Sequence, residues 1–321
     1  MKLNLQTITG KLLVAGFAFA LVYPFIASRF ALDVGTQALI FILVVTSWNF
    51  IAGYLGILSF VHAALFGVGG YAGAMFAAEM GVPAPLAILL AGVVTGVFSL
   101  PMAVSVLHLR GAYVAMLTIA YAEIIFLTAI IWRGVTGGPT GYSGFPMLFG
   151  GDRVMLYYFT LVVVTVLVGV LYLITVNRFG LVARAIRESE EAAQMLGNNT
   201  RQYKLIGFVI GSIMAGVAGG LQAYNILVIA PPMFELERMI EFMAMGIVGG
   251  LRTISGGIFG TLVVFGLSEA LRPIGTARLL IWGILLIVAI IFVPNGIVGR
   301  GTGVDNSRNE LVSQLRELIR R

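Results

Sequence analysis

In this chain of 321 residues 59% are hydrophobic and only 11% charged, with a mean hydropathy of +1.01, whereas a soluble domain carries about 25% charge; too little charge remains to cover a water-facing surface. A bilayer is the natural solvent, and a helix crosses one with roughly 20 apolar residues. The net charge of +6 then reports Lys and Arg held on the cytoplasmic side rather than a nucleic-acid surface, and the absence of cysteine excludes disulfides and thiolate chemistry.

Apolar runs broken by charge, Pro and Gly predict an all-α, polytopic transmembrane helix bundle of about ten spans, at 12–28, 34–52, 56–79, 84–107, 111–132, 154–176, 205–229, 239–251, 256–271 and 278–294. The first run lacks a small-residue cleavage site followed by a polar mature domain, so it is read as a retained span. The eighth and ninth are short, and "GIVGGLRTISGGIFG" between them reads as a turn or as a re-entrant element. If the N-terminus is cytoplasmic, fourteen basic residues fall inside and six outside, which gives N-in and C-in. Residues 1–300 then form the transmembrane domain, 177–204 its largest internal cytoplasmic loop, and 301–321 a cytoplasmic tail.

Polar groups within the apolar runs must be bonded internally. They are Trp48 and Asn49, Ser59 and His62, and Gln222, Tyr224 and Asn225. Glycines recur in small-xxx-small pairs, Gly69–Gly73, Gly92–Gly96 and Gly216–Gly220, which let helix backbones approach closely. Glu123, near the middle of the fifth span, lines a water-filled path or joins a buried polar contact. Glu269 and Arg272 are spaced to pair on one helix face. The loop "WRGVTGGPTGYSGFPMLFGGD" is dense in Gly and Pro, so it folds without helix, either as a connector or as a rigid outward platform. His62 and His108 have no companions at metal-ligand spacing, and no metal is expected. There is no G-x-x-x-x-G-K-[ST] motif, so the chain does not hydrolyse ATP on its own, and no Ser-His-Asp set is implied.

One stretch stands apart, "ARAIRESEEAAQMLGNNTRQYK", where Arg184, Arg187, Arg201 and Lys204, with Arg178 just upstream, are set among Glu188, Glu190 and Glu191. Ala183–Leu196 is rich in helix formers and Gly197 follows as a stop, which predicts a short amphipathic cytoplasmic helix. It can be a solvated connector, a helix lying on lipid, or a docking helix for a soluble partner.

"NRFGLVARAIRESEEAAQMLGNNTRQYKLIGFVIGSIMAGVAGGLQAY" closely resembles the cytoplasmic loop and following span of permease subunits of branched-chain amino-acid ABC importers, the M-type subunit of leucine/isoleucine/valine systems. Within it "EAAQMLG" resembles the Glu-Ala-Ala-x-x-x-Gly coupling loop of ABC import permeases. "GYLGILSFVHAALFGVGGYAGA", "LRGAYVAMLTIAYAEII" with "TGGPTGYSGFP", "GGLRTISGGIFG" and "FVPNGIVGR" resemble further blocks in family order, over roughly residues 30–300. Phe60, and Gly256-Gly257 where the family commonly has Gly-Pro, depart from the pattern, and urea- or short-amide-importing permeases share most of these blocks. A stand-alone ion-coupled carrier is the competing class. The resemblance implies a transport permease rather than an enzyme, in a bacterial inner membrane, with no cofactor of its own. Its partners would be a second permease subunit, two ATPase subunits using ATP and Mg, and an extracytoplasmic solute-binding protein. It further implies coupling to the ATPase through Arg184, Arg187, Glu188, Glu190, Glu191, Ala192, Ala193, Met195, Leu196 and Gly197. The charges would form the rim, with Met195 and Leu196 as apolar anchors. For the translocation path it suggests Tyr71, Tyr113, Thr118 and Glu123, and for docking the binding protein Gly137, Gly138, Pro139, Tyr142 and Arg238.

Overall fold

In a bilayer each backbone N–H and C=O must be bonded within the chain, and the computed structural model, which describes residues 5–272, 283 and 296–299, is helical through most of that range. The all-α bundle stands. Among the described residues five helical stretches are long and apolar enough to cross a membrane: α2 (Arg29–Tyr54), α4 with α5 (Ala84–Phe98 and Leu100–Val106), α6 (Ala112–Ile131), α8 (Arg153–Val176) and α11 (Thr200–Ile226). Helices α12 (Leu236–Gly249) and α13 (Ile254–Ala270) stand where the eighth and ninth spans were expected, as a pair bent by 116° that amounts to one broken span or a re-entrant element. Helix α1 (Leu5–Ile26) and the 17-residue α3 (His62–Ala78) match the first and third expected spans. The remaining named helix, α7 (Arg133–Thr136), opens the outer loop. The expected tenth span, 278–294, and the tail lie outside the described residues.

Helix α11 is the axis: 72% of its most apolar window is buried, against 22% for α6 at the perimeter. The small-xxx-small pairs explain how. A Cβ on Gly69 of α3 would stand 2.2 Å from the Gly216 carbonyl of α11, one on Gly219 would stand 1.8 Å from the Phe66 carbonyl, and one on Gly92 or Gly96 of α4 would strike Val217 or Ile213. The glycines of α3 and α4 therefore face those of α11, and backbone meets backbone where lipid offers no hydrophobic drive to hold helices together.

The ladder is interrupted at three places within the bundle. Between α2 and α3, residues 55–61 are not helical. Trp48, fully buried, donates its indole N–H to the Ser59 carbonyl (2.8 Å), and the Phe60 amide donates to Thr118 Oγ1 (3.0 Å). Between α11 and α12, residues Pro231–Phe234 form a 3₁₀ turn. Phe234 stacks on Tyr71 (5.6 Å) and fills the space beside Gly67. Gly67 lies twelve residues before Glu79 at the outer end of α3, about 18 Å along a helix axis. The chain therefore dips into the bundle before α12 begins, which is why α12, at 14 residues, is too short to cross. Between α12 and α13 the bend is built on Gly249, Gly250 and Gly256; a Cβ on Gly249 would lie 1.8 Å from the Gly256 carbonyl, and Gly250 has φ +119. Thr253 caps α13 by accepting from the Gly256 amide (3.0 Å).

Internal bonding of the buried polar groups is only partly met. Gln222 and Asn225 both donate to Gln37 Oε1 (3.0 Å each). His62 and the hydroxyls of Tyr71 and Tyr224 have no hydrogen-bond partner among the described residues; rings hold their side chains instead, Phe208 beside His62, Phe234 on Tyr71 and Phe145 against Tyr224. Glu269 and Arg272 pair as expected (2.8 Å).

The two ends of the bundle sort as the charge asymmetry expects. Arg110, the island, Gly53 and Arg252 meet at one end, while Asp33, Glu79, Tyr142 and Arg153 meet at the other. Replacing Gly69 with Leu drives a side chain into the Gly216 backbone and is expected to cost stability at or above the upper end of the roughly 1–3 kcal/mol of an overpacked core. Gly134→Ala, where a Cβ meets nothing within 4 Å, should leave the melting temperature of the purified protein unchanged. Equal melting temperatures for the two variants would refute the α3–α11 contact.

Candidate functional site

The island folds as two helices in series, α9 (Arg178–Glu188) and α10 (Glu190–Met195). The single helix expected over Ala183–Leu196 thus begins five residues earlier and breaks at Ser189. Ser189 is extended (φ −156, ψ 110), and its hydroxyl accepts from the Ala192 amide (3.2 Å). A serine followed by Glu190 and Glu191 is a strong helix start, with the acids favoured at the N-terminal turn. Val182, Ile186 and Ala193 are buried together beside Tyr203, and Gly197, at φ +80, ends the turn.

The island's charges bind it to the bundle. Arg187 donates to the Gly53 carbonyl at the end of α2 and pairs with Glu188. Arg184 donates to the carbonyls of Thr175 (3.0 Å) and Gly180 (3.1 Å) and lies over the Tyr54 ring (5.6 Å). Glu190 pairs with Lys204 of α11 (2.7 Å) and accepts from the Thr200 hydroxyl (3.3 Å). Arg110, in the turn before α6, pairs with Glu191 (3.2 Å) and reaches Glu190 (3.9 Å). Arg184, Arg187 and Glu190, expected on a rim, are thus engaged with the chain itself. Glu188, Glu191 and Ala192 are exposed, Ala193 is buried, and Met195 and Leu196 are 89% and 79% exposed. Two large apolar side chains stand free at the tip of a charged segment. The partners Arg110, Lys204 and Gly53 were not read as site residues; Arg110 and Lys204 carried a signal, since the charge rule already put both on the island's side.

At the opposite end the Gly-rich loop is folded, but not without helix as expected: α7 is followed by 3₁₀ turns at Gly138–Thr140 and Leu148–Gly151. Tyr142 and Ser143 form a two-residue strand, β1, paired antiparallel with β2 (Val228–Ile229). A Cβ on Gly141 would lie 2.2 Å from the Ile229 carbonyl, and Gly137, Gly138, Gly141 and Gly144 all have positive φ, a backbone that L side chains rarely adopt. Tyr142 donates to Glu79 (3.2 Å). Burial first, and the Glu79 charge second, raise its hydroxyl above the usual phenol range, so it stays a donor. Gly138 is buried and Pro139 exposed. Arg153 ties this end together by donating to the Asn225 carbonyl (2.8 Å) and pairing with Asp33 (3.4 Å). Arg238 makes its contacts elsewhere, at the recessed start of α12, where it lies over the Phe41 ring (5.8 Å) and pairs with Glu241.

The suggested path residues separate into two pairs. Thr118 and Tyr71 are inside, the former holding the broken segment and the latter stacked on Phe234. Tyr113 and Glu123 lie on the exposed face of α6, with Met116, Ile124 and Leu127.

Residues 30–294 match the family model described as the permease component of branched-chain amino acid transport systems. The chain belongs to this family. It is 27% identical to the high-affinity branched-chain amino acid transport system permease protein LivM of Escherichia coli K12, over 91% of this chain and 76% of that protein. It is also 27% identical to LivH of the same organism, over 80% and 91%, and 32% identical to a probable LivH of Methanocaldococcus jannaschii, over 56% and 58%. No solved structure matches. The chain is therefore a membrane-spanning transport permease, one component of a multi-component system.

Burial of Glu190 opposes its ionisation, but Lys204, the Thr200 hydroxyl and Arg110 together hold its carboxyl below the ordinary carboxylate range. A carboxyl depressed on folding contributes stability that is present above its unfolded pKa and is lost as pH falls through the folded one. Amide exchange of 190–199, corrected for intrinsic rate, should therefore be as slow at pH 5.5 as at pH 7 and quicken only at more acid pH. With Lys204→Met, burial prevails and lifts the folded pKa above the unfolded one, so the dependence should reverse: exchange of the segment is faster at pH 7 and slows as the carboxyl takes up its proton at acid pH. An identical profile in both proteins would show that Lys204 does not hold Glu190.

Proposed function

We propose that this chain is the permease half of an ATP-driven importer for branched-chain amino acids in the bacterial cytoplasmic (inner) membrane, and that α9–α10 receives the stroke of a separate ATPase subunit. The observation that carries the reading is the exposed Met195–Leu196 tip on a segment tied by charge to α2, α6 and α11. An exposed apolar pair rimmed by charge is what a docking contact needs: the apolar groups anchor and the charges set register. A partner that grips the tip would act on four spans, α8 and α11 through the chain and α2 and α6 through Arg187 and Arg110, with Lys204 reinforcing α11. ATP-dependent closure of the ATPases then favours one opening of the bundle over the other by differential binding. Two ATPases, a second, H-type permease and a solute-binding protein complete the assembly.

The exposed face of α6 is the surface assigned to the second permease and the path between the two. A carboxylate in mid-span is too expensive to leave against lipid, and Glu123, with Tyr113 on the same face, supplies a polar group to an otherwise apolar passage suited to leucine-like cargo. The Gly137–Tyr142 platform takes the binding protein; the glycine-locked strand pair gives it a fixed shape.

Three outcomes test this reading. In a reconstituted assembly, leucine, isoleucine and valine should compete for uptake and urea should not; effective competition by urea would reassign the cargo. Met195→Glu with Leu196→Glu should abolish uptake and ligand-stimulated ATP hydrolysis while the permease remains inserted. Wild-type uptake by this variant would remove the docking assignment. Glu191→Lys should abolish uptake as well. If Arg110→Glu restores it, the charge acts within the chain as part of the tie to α6; if not, Glu191 acts on the ATPase.

A further inference from the structure

A cavity of about 1080 Å³ opens between α1, α2, α8 and α13, above the roughly 300–1,000 Å³ typical of small-molecule sites and far larger than an amino acid needs. Its cause is the way α1 is attached. Helix α1 meets the bundle near its outer end, where Tyr157 donates to the Ala20 carbonyl (3.0 Å), Tyr158 to the Leu21 carbonyl (2.9 Å) and Tyr23 to the Ala31 carbonyl (2.8 Å). Towards the inner end the cavity separates it from α8 and α13. A Cβ on Gly16, Gly169 or Gly266, which line the opening, would meet nothing within 4 Å.

The lining changes character with depth. Along α8 it runs from Tyr157 to Tyr172, fifteen residues and so about 22 Å, most of the roughly 30 Å of a hydrocarbon core. Between these tyrosines the walls are apolar, with Leu161, Val164, Val168 and Phe259 among them. At the inner mouth they become polar and cationic, with Tyr54, Thr175, Ser255 and Arg184. The Arg184 guanidinium is held by two carbonyls and a ring, and no ion pair to an acid is present among the described residues.

We propose that this cavity holds one anionic phospholipid of the cytoplasmic leaflet, its acyl chains lying along α8 beneath α1 and its phosphate at Arg184. Acyl chains fit a long apolar slot open to the bilayer, tyrosines mark both of its ends at interfacial depth, and a guanidinium with no acid beside it among the described residues favours a phosphate. Arg184 also lies over Tyr54 at the end of α2 and belongs to α9, so the headgroup would brace the island that is assigned above to ATPase coupling. The site itself stands whether or not that assignment does.

The test uses the purified, delipidated permease in its assembly, re-exposed to phosphatidylglycerol or phosphatidylethanolamine and read by native mass spectrometry. Phosphatidylglycerol should be retained at least tenfold better. Arg184→Gln should remove that preference while leaving residual binding of both lipids. Gly169→Trp with Gly266→Trp should remove retention altogether in protein that still assembles. Equal retention of the two lipids by the wild type, or full retention by the tryptophan variant, would overturn the proposal. If the tryptophan variant fails to assemble, a photo-crosslinker at Val168 decides: capture of lipid supports the site, and capture of polypeptide overturns it.

Discussion

The obligation to bond every backbone polar group inside the chain governs this molecule more than any single contact. Continuous helix meets it automatically; broken helix does not. Each interruption is therefore matched by a device placed for it. Trp48 and Thr118 serve the segment before α3, Thr253 and a run of glycines serve the α12–α13 bend, and the β1–β2 pair serves the chain before it dips at Pro231. Non-helical backbone at membrane depth is tolerated only where it is buried in protein or lines a cavity, and these devices are what keep the interruptions bonded inside the bundle.

Glycine is the second half of the same economy. Where helices must touch without water to press them together, contact area has to come from backbone, and α11 obtains it by facing Gly216, Gly219 and Gly220 to α3 and α4. The axis is consequently buried along most of its length, while α6 lies at the perimeter.

Much of this was legible in the residues. The apolar runs fix helices at the nine expected places that lie within the described residues, the glycine pairs mark where helices pack closely, and the basic asymmetry foretells which loops share an end. What was not legible has physical reasons. Periodicity cannot show that α3 starts late or that α12 starts inside the bundle, because an apolar segment looks alike as helix or as re-entrant chain. The break at Ser189 was written in "RESEEA" but was masked by the strong helix formers on both sides. Above all, sequence shows that Arg184, Arg187 and Glu190 are charged but not which way they turn. Read alone they suggest a surface for a partner; folded, they hold Gly53, Thr175 and Lys204.

That inward turn alters what the island can do in the proposed mechanism. A coupling element whose charges all faced a partner would transmit force only through its two covalent ends, to α8 and α11. Here Arg187 adds α2 and Arg110 adds α6, so a push on the Met195–Leu196 tip reaches four spans. The ties are unequal. Arg110 and Glu191 are 71% and 72% exposed, and such surface pairs contribute ~1 kcal/mol or less. Lys204 and Glu190 are 14% and 18% exposed, and with the Thr200 hydroxyl they make a firmer joint. The force path that follows is asymmetric: α11 and α2 move with the island as one piece, while α6, held through an exposed pair, can slip. A slip at α6 is the motion that would open and close a path lined by its exposed face, and it requires no change in the packed axis.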